Sequence, residues 1–317
     1  MLSKAPFLAV SGLVLCLAAC GPTTSEDTVD TASLPQLVFP GEDIPDPYHR
    51  AYTMTENAEG TVRVFTRETR DDTDLYEILL QDDGSWSEPV MLDWPKLRSN
   101  VAPHFSPFDG RMYFASDRPA PGLEHRDDMN IWSIERTEDG WGEAEYIPGN
   151  IHYGADETSV TTTADGFMVF TSQRREGPGG HDFYTAQYDE SAQGWIFEGL
   201  LEEASTSLVE SHIAASPDGQ HFIYYSRMRP ILGNVDLKVL SRGEDGSWVG
   251  PYTLGPNINS RGIEFGASFS ATGETFFFSH EGRIVEMPVS ALMDEIEAAQ
   301  SAYLAGEELS FLGLSEN

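Results

Sequence analysis

Residues 104–119 read HFSPFDGRMYFASDRP, and residues 214–228 read AASPDGQHFIYYSRM. Each is a polar turn closed by an Asp-Gly pair and followed by an apolar run of strand length. Glycine accepts a positive φ without steric cost, so Asp-Gly between such runs signals a hairpin. Related turns recur at Glu59-Gly60, Asp109-Gly110, Asp165-Gly166, Asp218-Gly219 and Thr272-Gly273, with successive glycines 50, 56, 53 and 54 residues apart. Tryptophans keep the same beat: Trp86, Trp141, Trp195 and Trp248 are separated by 55, 54 and 53 residues. A third landmark is a polar residue heading a short strand, as in Asp74-Leu75-Tyr76, Asn130-Ile131-Trp132, Asp182-Phe183-Tyr184 and Asp236-Leu237-Lys238.

Three landmarks on one period define a repeat of four short strands. In the second copy these are expected at residues 102–106, 111–116, 130–135 and 141–147. Four strands in roughly 50 residues is the arithmetic of a β-propeller blade, which buries its faces only against its neighbours. The fold class expected is therefore all-β, a five-bladed β-propeller of four-stranded blades.

The wording of the repeat resembles the WD40-like (PD40) repeat of TolB-type propellers, with its S-P-D-G turn and following S-x-R. Residues 161–174 (TTTADGFMVFTSQR) and 269–282 (FSATGETFFFSHEG) are looser copies, and 54–68 (MTENAEGTVRVFTRE) is the most divergent. The resemblance spans about residues 45–290. It is specific for fold and unspecific for function.

The fifth repeat lacks a tryptophan-led fourth strand. Residues 34–39 (LPQLVF) resemble the other fourth strands and are expected to complete that blade, leaving no open sheet edge between the ends of the ring. The propeller is thus placed at residues 34–290, followed by a C-terminal helix and tail at 291–317. Leu292, Ile296, Ala299 and Tyr303 fall on one helical face, with Asp294 and Glu295 expected near the helix start, where the macrodipole favours acids.

The chain begins with Lys4, an apolar run over residues 6–19, and Leu17-Ala18-Ala19-Cys20. That run is short for a spanning helix and fits a secretory signal peptide, residues 1–19. Its end resembles the lipobox of bacterial lipoproteins. The resemblance implies cleavage before Cys20, acylation of that cysteine, and a membrane anchor made by its acyl chains. Gly21 in place of aspartate points to the outer membrane, with the protein lipid-anchored and facing the periplasm. Residues 20–33 read as the acylated cysteine and a flexible acidic tether. The only other cysteine is Cys16, so disulfides and cysteine nucleophiles are excluded from the folded part.

With 52 acidic against 19 basic residues, the formal net charge is −33. Such a chain repels phosphate backbones, which excludes nucleic acid as a partner. No G-x-S-x-G, H-E-x-x-H or phosphate-binding glycine loop is present. The histidines lack zinc-ligand spacing, and the acidic clusters at Asp71, Asp72, Asp74 and at Asp127, Asp128 lack the twelve-residue calcium pattern. No cofactor, metal or catalytic residue is assigned.

Candidate contacts come from blade geometry. The loops between second and third strands, and between fourth and first strands, share one face with a mouth of the central channel, and loops on a rigid scaffold carry function. Eight residues before each Asp-Gly aspartate, or its equivalent, lie Ala51, Val101, Glu157, Glu210 and Glu264, at the heads of the channel strands. Glu157, Glu210 and Glu264 are thereby candidate channel-mouth ligands, with Tyr153 and His212 beside them and Tyr48 and Tyr52 near. The competing reading is that each glutamate bonds neighbouring backbone amides. Arg118, Arg174 and Arg227 are candidate loop-face contacts. They recur in phase with Asp182 and Asp236, which they would bridge within a blade.

These readings point to an envelope-anchored lipoprotein whose propeller is a scaffold for an envelope protein or peptide. The alternative is a carbohydrate-binding protein or carbohydrate-active enzyme using the channel-mouth carboxylates on a glycan.

Overall fold

In a computed structural model, described here for residues 33–39, 50–70 and 72–315, the chain forms five four-stranded antiparallel blades. Blade 1 comprises Arg50–Glu56, Val62–Glu68, Thr73–Leu79 and Val90–Met91. Blade 2 comprises Asn100–Phe105, Met112–Ser116, Asn130–Ile134 and Glu145–Tyr146. Blade 3 is Glu157–Thr162, Phe167–Ser172, Asp182–Asp189 and Gly194–Leu200, and blade 4 is Glu210–Ala215, His221–Ser226, Asp236–Arg242 and Trp248–Thr253. Blade 5 takes Glu264–Phe269, Thr275–His280 and Arg283–Pro288 from the end of the repeat, and Gln36–Leu37 from before its start. Gln36 pairs with Glu286 and Leu37 with Val285, and the Val38 amide adds a 3.1 Å bond to the Ile284 carbonyl. The closing strand is where the sequence places it.

The seams between blades repeat one bond. The amide heading an inner strand donates to the carbonyl just before the third strand of the preceding blade: Glu157 to Met129 (3.0 Å), Glu210 to His181 (3.4 Å) and Glu264 to Val235 (3.0 Å). Ala51 makes the same bond to Gly282 at 2.9 Å, which joins blade 5 to blade 1. Between the blades lie apolar clusters, such as Phe105, Phe114 and Trp132 with Val64 and Leu75.

Two local readings are corrected. Gly140–Trp141 pairs with Arg136–Thr137 in a separate hairpin, so the outer strand of blade 2 begins only at Glu145 and is two residues long. The turn of blade 2, Ser106 to Arg111, is as long as Ser216 to His221 of blade 4, but its Asp109-Gly110 pair sits one position later than Asp218-Gly219. The first glycine closes on Ser106 four residues back and the second on Ser216 three back. Phe108 occupies the position that Asp218 holds in blade 4 and displaces the count, so Asn100 and not Val101 is the counterpart of the three glutamates. Asn100 pairs with Ser116 as Glu157 does with Ser172 and Glu210 with Ser226.

The helix Val289–Ala305 ends at Gly306, whose φ of 73° supplies the left-handed cap. Leu292, Ile296 and Ala299 are buried against Tyr252 and Leu254 of blade 4 and Phe276 and Met287 of blade 5. Because the helix starts at Val289, Asp294 and Glu295 sit in its second turn and not its first. A short helix, Glu308–Phe311, follows, and Glu308 Oε1 accepts the Thr253 amide at 2.7 Å, satisfying an outer-strand donor.

Residues 1–32 lie outside the described part, and with them the signal peptide, Cys20 and most of the proposed tether. Tyr48, His49 and Asp71 also lie outside it.

Candidate functional site on the loop face

The inner strands converge on a channel that is nearly filled. Each carries a register shift two residues or so from its head. At the shift Thr53, Ala102, His212 and Gly266 adopt φ of 48°, 53°, 52° and 63°. Positive φ at three residues with a Cβ is strain that the surrounding sheet must impose. The cavity lined by all five inner strands is about 20 Å³, room for one water. Thr53 Oγ1 and His212 Nδ1 border that strand layer, buried and without a protein partner.

His104 lies deeper on the same wall. Its Nε2 accepts the Thr162 amide at 3.0 Å, and desolvation lowers its pKa to about 4. Burial likewise lowers His212 to about 4, with His181 adding to the shift, so both imidazoles are neutral at pH 7. Above His212, toward the loop face, Tyr52, Tyr225 and Phe265 gather around it, with ring centroids 5.2–6.4 Å apart.

Glu157, Glu210 and Glu264 are fully buried at the heads of their strands. Glu210 accepts the Thr206 hydroxyl (2.8 Å), the Ser226 hydroxyl (3.0 Å) and the Thr206 amide (3.1 Å). Glu264 repeats this with the Ser260 hydroxyl (2.6 Å) and amide (3.1 Å), and His280 Nδ1 at 2.9 Å takes the place of the serine. Glu157 is the odd member. Tyr153 stands where Thr206 and Ser260 stand, four residues before the glutamate, and it has no short hydroxyl to give. Glu157 keeps the Ser172 hydroxyl at 2.9 Å, while its Oε2 has no hydrogen-bond donor and sits 3.7 Å from His152 Nδ1. Desolvation raises the pKa of all three carboxyls, and hydrogen bonds hold each back.

The arginines divide. Arg118 is buried between the rings of Phe114 (4.9 Å) and Trp132 (5.2 Å), and bonds Ser116 Oγ and Asn100 Oδ1. Asn100 Nδ2 in turn reaches Asp74 Oδ1 at 3.1 Å. Arg174 repeats the stacking on Phe170, Tyr184 and Phe197, and donates to the Ile151 carbonyl. Arg227 does not join them and is exposed. Ser116-Asp117-Arg118 and Ser172-Gln173-Arg174 place arginine two residues past the serine, whereas Ser226-Arg227-Met228 places it one residue past, outside the stacking slot.

Asp182 and Asp236 do not bridge to these arginines. Asp182 accepts the Gly179 amide, and Asp236 accepts the Leu232 and Gly233 amides at 2.5 and 3.0 Å. Each thereby folds the loop that precedes it back onto its own strand. Asp117 does comparable work in blade 2, accepting the amides of Leu97, Arg98 and Ser99. The loop face is consequently stiff, held by buried acceptors beneath it.

What that face presents to solvent was not legible beforehand, apart from Tyr153 and Arg227. Every described connection between blades carries one exposed large apolar side chain: Leu97 (54%), Tyr153 (60%), Leu208 (41%) and Ile263 (36%). The signal available in the sequence was an apolar residue within four positions of each channel-strand head. Among the described residues no cluster of three or more His, Cys, Asp or Glu is arranged to hold a metal ion.

No protein-family model and no curated protein matches the sequence. Solved structures with similar folds include TolB from Acinetobacter baumannii, at 16% identity and a TM-score of 0.38 over 75% of this chain. The chain spans 43% of the length of that TolB structure. Others are the gluconolactonase XC5397 from Xanthomonas campestris (13% identity, TM-score 0.45, 81% of this chain and 91% of that one) and an α-L-arabinofuranosidase from Lactobacillus brevis (15%, 0.49, 77% and 92%). The fold is a β-propeller. At these identities the likeness extends to architecture alone.

Proposed function

We propose that the chain is a lipid-anchored protein of the bacterial outer membrane whose propeller acts as a scaffold for an envelope protein or peptide bound on the loop face. The observation that carries the reading is the ring of exposed apolar side chains, one per described connection, three of those connections being tied down by a buried carboxylate: Asp117 holds the Leu97 amide, Glu210 that of Thr206 beside Leu208, and Glu264 that of Ser260 before Ile263. Apolar groups held rigidly on a polar rim lose little conformational entropy on binding, which is the arrangement of a protein-docking surface. The candidate carboxylates favour this over glycan chemistry: Glu157, Glu210 and Glu264 are fully buried, and Glu210 and Glu264 are saturated by bonds within their own blades. The lipobox-like Leu17-Ala18-Ala19-Cys20 carries the anchor.

The test is site-specific photocrosslinking in native envelopes with the full chain. Crosslinkers at Tyr153 and Leu208 are expected to give a discrete protein adduct, and crosslinkers at Asp109 and Thr272 on the opposite face none. Adducts to glycan alone, or equal adducts from both faces, would reject the scaffold. Incorporation of labelled palmitate that survives Cys20→Ala would reject the anchor.

A further inference from the structure

The chain has almost three acids for each base, yet its exposed cations are not scattered. All eight exposed arginines among the described residues lie on the loop face: Arg50 heads an inner strand, Arg98 and Arg261 lie in connections between blades, and Arg70, Arg175, Arg227, Arg229 and Arg283 lie in or border the loops between second and third strands. Arg98 is engaged by Asp117 at 3.0 Å, and Arg70 also has a partner. The other six, Arg50, Arg175, Arg227, Arg229, Arg261 and Arg283, form no ion pair with another described residue. On the opposite face the turns expose Glu59, Asp82, Asp83, Asp109, Asp165 and Asp218, and the described arginines there, such as Arg63 and Arg111, are drawn in against Glu56 and Glu145.

In a protein with a net charge of −33 acids are plentiful, and this face too exposes Asp72, Asp93, Glu124, Asp127, Glu176, Glu202, Glu203 and Glu281, yet the six arginines pair with no described acid. Exposed acids occur on both faces, and exposed arginines on this one alone among the described residues. Several border one spot. Arg50 and Arg227 act electrostatically on Tyr52 and Tyr225, the two tyrosines that pack with Phe265 around His212 at the channel mouth. Gly282 lies against the Arg50 side chain and adjoins Arg283, and the next connection brings Gly262, beside Arg261, against Glu281. Glu68 and Glu281 lie among them, and Glu176 follows Arg175.

The geometry points to an acidic peptide as the occupant of the loop face: a segment whose carboxylates meet Arg50, Arg227 and Arg283 and whose apolar side chains meet Tyr153, Leu208 and Ile263. Guanidinium groups suit carboxylates through paired N–H donors, and charge complementarity steers the encounter. An anionic membrane offers similar chemistry, but the acidic remainder of this chain is repelled by such a surface, whereas a peptide occupies only the arginine-bearing face. This inference rests on the scaffold reading above and narrows its partner.

The probe is a random peptide library displayed on phage, panned against the full chain in detergent. Selected peptides are expected to be enriched in Asp and Glu beside apolar residues. The variant R50E/R227E/R283E should bind them at least about tenfold more weakly, with R50Q/R227Q/R283Q intermediate and binding weakened by salt. All three sites are exposed, so circular dichroism should show an unchanged fold, and reversal of Arg242 on the opposite face should leave binding intact. Peptides without acidic enrichment, no selected peptides, or equal affinity for the reversed variant would overturn the inference. So would retention on phosphatidylglycerol vesicles that the triple reversal abolishes, because the anion would then be lipid. If crosslinking from Tyr153 and Leu208 still gives a protein adduct while the acidic selection fails, the scaffold stands and its acidic partner falls. Loss of the adduct itself rejects the scaffold.

Discussion

The amide of Ala51 in blade 1 donates to the carbonyl of Gly282 in blade 5 at 2.9 Å, the same bond that Glu264 makes to Val235 one seam earlier. The two ends of the repeat therefore meet as any two neighbouring blades do. Gln36–Leu37 supplies the outermost strand of the last blade, and Phe39 packs on Phe65 of the first with centroids 5.3 Å apart. Phe39 thus ties the closing strand across the seam.

Phe39→Ala should destabilise the folded chain by about 1–2 kcal/mol, below the cost of a fully buried phenylalanine because Phe39 is half-buried. Urea unfolding followed by tryptophan fluorescence measures it. An unchanged midpoint would mean that the closing strand does not hold the ring.

Glu157 and Glu210 should respond oppositely to neutralisation. Glu210 receives three short bonds, so Glu210→Gln should cost about 1–3 kcal/mol at pH 7. Glu157 has one oxygen without a donor in a desolvated site, and Glu157→Gln should be neutral or stabilising there. The pH dependence has a definite sign. With the folded pKa of Glu157 above the ordinary 4.5, the folded state holds the proton longer. Stability from this group is full below 4.5 and is lost as pH rises through the raised value. Glu157→Gln should remove that decline, and equal unfolding curves for the two variants at pH 7 would contradict the assignment.

Arg118 and Arg227 look alike in sequence and should differ in effect. Arg118 is stacked and bonded in a buried slot where its pKa falls to about 10 through desolvation. Arg118→Ala should cost about 2–3 kcal/mol, because it also strands Asn100 Oδ1. Arg227→Ala should stay within about 0.5 kcal/mol, as exposed substitutions do. Thermal unfolding of both variants decides it, and a similar loss at each would restore the common role that the repeat suggests.

The residues that deceived in sequence share a cause. A period of some fifty residues survives small insertions, so the blades, the closing strand and the buried helix face were all readable. A side chain's slot depends on one residue of register. Phe108 pushes the Asp-Gly pair one position later in a turn of unchanged length, so that counting from Asp109 gives Val101 where the register gives Asn100, and Arg227 precedes its slot by one residue. A shift of one along a strand reverses the face a side chain points to. The weak cap of Glu157 was legible in principle, since Tyr153 replaces the Thr206 and Ser260 of its sister blades. The partners of Asp182 and Asp236 were not, because the amides they accept are positioned by loop paths that no spacing encodes.

His104 supplies the sharpest pH test. Its Nε2 accepts the Thr162 amide, and that oxygen-lined, desolvated wall offers a second proton nowhere to go without breaking the bond. The folded pKa is about 4 against the ordinary 6.5, so between these values the unfolded chain binds the proton and the folded chain does not. Stability from this group is therefore present above 6.5 and is lost as pH falls toward 4, by up to roughly 3 kcal/mol. The sign opposes that of Glu157, so the two residues must be separated by variants and not by the wild-type curve alone. His104→Gln retains an acceptor for the Thr162 amide and cannot titrate. Its stability relative to wild type should rise steadily from pH 6.5 to 4 in urea unfolding, and a constant difference across that range would show that His104 protonates in the folded protein as it does in the unfolded chain.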